Sequence, residues 1–95
     1  MSALWISHVT VTDPEAYKSY ATRAVDIITE YGGVFLSRGG AHRQLEGTAH
    51  ERHVVVRFPS LDAAEKCYKS EAYQAALTYA QGASERQLVI VQETQ

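Results

Sequence analysis

The sequence predicts a single α+β domain spanning residues 1–95, with elements in the order β-α-β-β-α-β. Three observations predict it. First, 95 residues leave room for one hydrophobic core and no second. Second, runs rich in β-branched residues alternate with stretches in which apolar residues recur every three or four positions. Third, cap and turn residues stand at the changeovers: Asp13-Pro14, Gly32-Gly33, Gly39-Gly40, Pro59-Ser60 and Gly82. A hydrophobic content of 45% with 21% charged residues is that of an ordinary globular chain, which excludes wholesale disorder and fibrous repeats.

Ala3 to Val11 mixes apolar and β-branched residues and reads as the first strand. Asp13 can accept from the free amides of a helix start, Pro14 sits where a missing N–H costs nothing, and Glu15 favours the positive end of the helix dipole. In the helix that follows, Tyr17, Tyr20, Ala24, Ile27, Ile28 and Tyr31 form one stripe, with Lys18, Arg23, Asp26 and Glu30 mostly outside it. Gly32-Gly33 stops the helix, and a second strand runs from Val34 to about Arg38. Ala41 to Glu51 is polar and reads as a loop or a loosely paired hairpin tip.

His53 to Phe58 is the third strand, its Val54-Val55-Val56 run suited to cover on both faces. Ser60 caps a second helix carrying Leu61, Ala64 and Cys67 or Tyr68. Ser70-Glu71 resembles a fresh cap before Tyr73, Ala76, Leu77 and Ala80, so that helix is expected to be kinked or split. Leu88 to Val91 is the last strand.

This order fits a ferredoxin-like fold, a four-stranded antiparallel sheet with both helices on one face. The first strand places Trp5, Ser7, Val9 and Val11 on one face and Leu4, Ile6, His8 and Thr10 on the other, leaving apolar residues on both. A small domain also buries only roughly 60 to 65% of its unfolded surface. Both facts favour a homodimer in which a second copy covers the open face of the sheet.

A formal charge of -2 and a pI near 6.0 show no basic field, so neither nucleic acid nor a membrane is an expected partner. The lone cysteine, Cys67, has no internal disulfide partner, and the start lacks a signal-like segment, so a cytoplasmic protein is expected. No apolar run approaches the roughly 20 residues of a membrane helix.

Several short motifs then carry a resemblance: Asp13-Pro14 with Tyr17 and Tyr20, Gly32-Gly33 with Phe35-Leu36-Ser37-Arg38-Gly39-Gly40, Leu45-Glu46-Gly47, Arg57-Phe58-Pro59-Ser60, and Tyr68-Lys69-Ser70-Glu71-Ala72-Tyr73-Gln74. Together they resemble the domain of unknown function 1330 family, of the dimeric α/β-barrel superfamily. The resemblance spans nearly the whole chain. It implies the fold just described, with two sheets packed face to face across the dimer, and no reaction. Relatives in the superfamily include cofactor-independent monooxygenases, isomerases and proteins without shown activity, so fold analogy alone decides little. This chain departs from the family pattern at Arg57, where an acidic residue is usual, around Ala80-Gln81, where a basic group is frequent, and at Gln92-Glu93 in place of a terminal Glu-Gly.

Among side chains able to do chemistry, Arg38 ends a strand before two glycines and can reach a pocket mouth to bind a carboxylate; its structural alternative is an ion pair with Glu46. Tyr17, Tyr20, Tyr68 and Tyr73 can line a ligand pocket, or serve as core and interface residues with hydroxyls at the edge. His8 can act as a general base, or be a satisfied strand histidine. His42, His50 and His53 match no zinc spacing, so no metal is expected, and no cofactor either. Cys67 reads as core filler.

Two functions stay open at this level. One is a dimer that binds a small organic molecule between sheet and helices, with Tyr17, Tyr20, Arg38, Tyr68 and Tyr73 as ligand-binding residues. The other is a cofactor-independent isomerase or monooxygenase, acting on a small aromatic or carboxylate substrate, with His8 as base and Arg38 stabilising negative charge. A structural or interaction module stands behind both.

Overall fold

Three serine or aspartate side chains decide where the helices begin. In the computed structural model, which describes residues 1–94, Asp13 accepts from the Ala16 amide at the head of α1 (Pro14–Glu30), with Pro14 in the first turn. Ser60 accepts from the Ala63 amide and starts α2 (Leu61–Lys69). Ser70 ends α2 and starts α3 (Glu71–Leu77): its hydroxyl donates to the Cys67 carbonyl at 2.7 Å and accepts from the Tyr73 amide at 3.1 Å. The expected break in the second helix is therefore a full separation, and the element order is β-α-β-β-α-α-β.

The strands are β1 (Ala3–Val11), β2 (Val34–Arg38), β3 (Arg52–Phe58) and β4 (Ser84–Gln92). They form one sheet in the order β2-β3-β1-β4, with every neighbouring pair antiparallel. Two strands are longer than the sequence suggests. β4 begins at Ser84 rather than Leu88 because its first half pairs with the end of β1, Val9 opposite Arg86 and Val11 opposite Ser84. β3 begins one residue early, at Arg52, opposite Val9. Residues 41–51 contain no helix or strand.

One face of the sheet meets the helices. Trp5 and Val9 of β1, Val56 and Phe58 of β3, Ala24 and Ile28 of α1, and Cys67 and Tyr73 of α2 and α3 form the buried core. Trp5 sits at its centre, its ring 5.7 Å from Phe58 and edge-on to Tyr73 at 5.2 Å. The other face carries Leu4 and Ile6, flanked in register by Val55 on one side and Val89 and Val91 on the other, and among the described residues no helix or strand covers it. Val34 and Val89 are 60% and 55% exposed there.

β2 holds a bulge at Leu36: Phe35 lies opposite Val56, but Ser37 lies opposite Val55 and Arg38 opposite Val54. Residues three apart in a regular strand point to opposite faces, and the extra residue turns both Phe35 and Arg38 toward the helices. Among the described residues no helix is long and apolar enough to cross a membrane.

Candidate functional site

Between α1 and the sheet lies a small, half-open cavity. Trp5 and Ser7 of β1, Tyr17, Tyr20, Ala21 and Ala24 of α1, Phe35 and Arg38 of β2, Arg52 and Val54 of β3, and Arg86 of β4 line it. Its free room is about 30 Å³, space for about two water molecules. Tyr17, Ala21 and Arg52 also line a wide groove of about 600 Å³, shared with Val11, Pro14, Lys18 and Glu51. Cavity and groove thus share those three residues.

The local fold explains why these side chains converge. The α1 stripe lays Tyr17, Tyr20 and Ala24 on the sheet, and the period of two along each strand aims Ser7, Arg52, Val54 and Arg86 at the same face. Arg86 donates to the Tyr20 hydroxyl at 2.9 Å and more weakly to that of Tyr73 at 3.4 Å, while the two hydroxyls share a 2.6 Å hydrogen bond. Burial, and then the neighbouring Tyr73, pushes the Tyr20 phenol far above its ordinary value against the pull of Arg86, so it stays protonated. Burial likewise raises Tyr73. Arg38 lies with its guanidinium carbon 5.3 Å from the centre of the Phe35 ring, and that of Arg52 is 6.0 Å from the Tyr17 ring. Gly39, at φ +71°, leaves the space the Arg52 guanidinium occupies; a Cβ there would collide with it.

Of the residues the sequence singles out, Tyr17, Tyr20 and Arg38 line the cavity. Tyr73 stands behind it, joined through the Tyr20 hydroxyl. Tyr68 lies apart: it stacks near Trp5 and Tyr73, but opens on a separate surface depression with Glu65, Lys69, Leu88 and Ile90. His8 is on the uncovered face of the sheet, opposite His53, so within one chain the sheet separates it from Arg38. The anticipated Arg38–Glu46 ion pair is not formed; the ion pairs among the described residues are Arg57–Glu93 and Lys69–Glu65. Two of the departures from the family pattern thus meet, Arg57 reaching across β1 to Glu93 at 2.7 Å, and each holds the other in its charged form.

Arg52 and Arg86 escape a reading of the sequence made element by element, yet a signal exists. Counting back by twos from Val56 and Val54 reaches Arg52, and from Ile90 and Leu88 reaches Arg86, both on the face packed against the helices. A charged residue continuing a buried face is the informative exception.

The histidines gather on the opposite face. His8 Nδ1 lies 2.7 Å from His53 Nδ1, the His42 ring stands 4.4 Å from that of His53, and His50 Nδ1 is 3.0 Å from the Thr10 hydroxyl. Desolvation, and then His42 and His8, holds His53 below the usual histidine value. Among the described residues no three His, Cys, Asp or Glu side chains converge as a metal site. Cys67 is fully buried and its thiol is pushed up to about 11, so it is protonated at neutral pH.

Fold and site define a ferredoxin-like protein with an arginine-rich, aromatic cavity under its first helix. Residues 2–94 match the model of the domain of unknown function DUF1330, and the chain belongs to that family. Among solved structures it is similar to a protein of unknown function from Rhodopseudomonas palustris, at a TM-score of 0.81 and 17% identity over 99% of this chain and 83% of that one. It is also similar to SnoaB, a cofactor-independent oxygenase from Streptomyces nogalater, at a TM-score of 0.71 and 13% identity over 99% and 94% of the two chains. A dimeric ferredoxin-like protein of unknown function from Bacteroides fragilis aligns at 0.67 and 13% identity over 97% and 96%. No curated protein matches.

Proposed function

We propose that this protein binds a small organic molecule at the cavity and groove beside α1, and does so as a cytoplasmic homodimer that packs the two open sheet faces together. One observation carries the binding reading: an aromatic-lined cavity beside α1 shares Tyr17, Ala21 and Arg52 with a wide groove, the concave and mostly apolar form of a ligand site. The dimer is supported by the uncovered apolar row Val55, Ile6 and Val89 across three strands. Burying each such side chain contributes about 1.5–3 kcal/mol. A dimeric neighbour of the same fold supports it further.

Binding is favoured over turnover by what lines the cavity. A general base works best with a pKa near neutrality. The ionisable groups here are phenols and guanidinium groups, with Tyr20 pushed still higher. The enzyme alternative draws its support from the fold shared with SnoaB.

Trp5, the chain's single tryptophan, lines the cavity and so reports on it. Titrating the protein with a panel of small neutral and charged ring compounds is expected to change Trp5 emission saturably for some of them. Filling the cavity with Ala24→Phe is expected to abolish that response. An equal response in the two proteins would place the ligand elsewhere and end the reading.

A further inference from the structure

The cavity holds an excess of cations that the chain itself does not balance. Arg38, Arg52 and Arg86 all line it, and among the described residues none of them forms an ion pair. The Nε atoms of Arg52 and Arg86 are shielded from solvent and have no hydrogen-bond partner. Buried donors of this kind are ordinarily satisfied, and a partly buried cation without an anion gives up some solvation with nothing in return. Guanidinium carries five donors and no acceptor, so an acceptor-rich anion would complete these two side chains and supply the charge they lack. The remaining polar groups of the lining, Ser7, Tyr17 and Tyr20, are hydroxyls, and no carboxylate stands among them.

Resting on the binding reading above, the geometry points to a ligand that is a small organic carboxylate, its head group in the cavity between Arg52 and Arg86. The dimensions agree with that division. The cavity has room for about two water molecules, which suits the two oxygens of a carboxylate. The body of the molecule then lies in the groove beside Tyr17, whose rim carries one charge of each sign, Lys18 and Glu51. Planar, forked guanidinium groups match carboxylate geometry better than a point-charge amine would.

Benzoate and benzamide test this, because they share size and shape and differ in charge. Benzamide would also set its own amide donors against those of the arginines. With Trp5 emission as the readout, benzoate is expected to bind wild-type protein roughly ten-fold or more tightly than benzamide, the scale of hydrogen bonds to charged groups. In Arg86→Met or Arg52→Met that preference is expected to shrink to about two-fold or less. The wild-type comparison stands even if one variant fails to fold. Equal binding of acid and amide would overturn the carboxylate inference while leaving the pocket intact, as would a preference that persists in both arginine variants. No binding of benzoate at millimolar concentration, with neutral rings still responding in wild type and silent in Ala24→Phe, would likewise overturn it alone. Failure of the whole ring panel would instead remove the binding reading on which it rests.

Discussion

Arg86 on the edge strand β4 donates to the hydroxyl of Tyr20 on α1 at 2.9 Å, and the same hydroxyl lies 2.6 Å from that of Tyr73 on α3. One guanidinium therefore ties three elements together at the back of the cavity. Tyr73→Phe removes a buried hydroxyl from a pair and is expected to destabilise the fold by about 1–2 kcal/mol. Tyr20→Phe is expected to cost at least as much, because Arg86 then keeps only its 3.4 Å contact with Tyr73. Urea denaturation of both variants checks the order.

Tyr20 and His53 each add to the pH dependence of stability, on the alkaline and the acid side. Tyr20 is held well above its ordinary value by burial, so the unfolded chain loses this proton first as pH rises past about 10. Its contribution is complete below that pH and falls above it. His53 is held below its ordinary value, so as pH falls through about 6.5 the unfolded chain takes up a proton that the folded one resists. Stability is expected to decline there, modestly, since the ring is only half buried. Melting temperature against pH, compared between wild type and His53→Gln, should show the acid limb flatten in the variant.

The bulge at Leu36 makes a sharper prediction. Deleting Leu36 restores a regular strand in which Phe35 and Arg38 stand two positions apart, so both still face the helices. The deletion is expected to keep the change in Trp5 emission that benzoate produces, whereas deleting Ser37 as well puts the two residues on opposite faces and is expected to reduce it. A Leu36 deletion that loses the benzoate response would show that the bulge itself is needed to place Arg38.

Self-association is read from mass rather than activity. Native mass spectrometry is expected to find a dimer for the wild type and a monomer for Val89→Glu, which places a charge at the β4 end of the uncovered apolar row. A wild-type monomer at micromolar concentration would refute the face-to-face packing.

Ser70 serves both α2 and α3, so Ser70→Ala removes a cap from one helix and a carbonyl partner from the other. The expected loss is about 1–2 kcal/mol, measured by denaturation.

Most of the scaffold is legible in the residues. Asp13-Pro14, Ser60 and Ser70 state their roles in local chemistry, because a cap needs only a side-chain oxygen and the next turn's amides. The two-faced pattern of β1 and the stripe of α1 likewise follow from periodicity, and they place Tyr17 and Tyr20 under the sheet. The first half of β4 was not legible, since Ser84-Glu85-Arg86-Gln87 has no strand-like pattern of its own and is held by pairing with β1. For the same reason Arg86 stayed hidden.

By itself, then, the sequence determined the order of elements, the points where helices start, and which face of each is apolar, since these depend on neighbours a few positions away. Tertiary structure alone decided that three arginines meet around one cavity, that a bulge turns Arg38 inward, and that His8 lies on the other side of the sheet. Those outcomes depend on strand register, which long-range pairing sets, and a shift of one residue would have reversed every one of these faces.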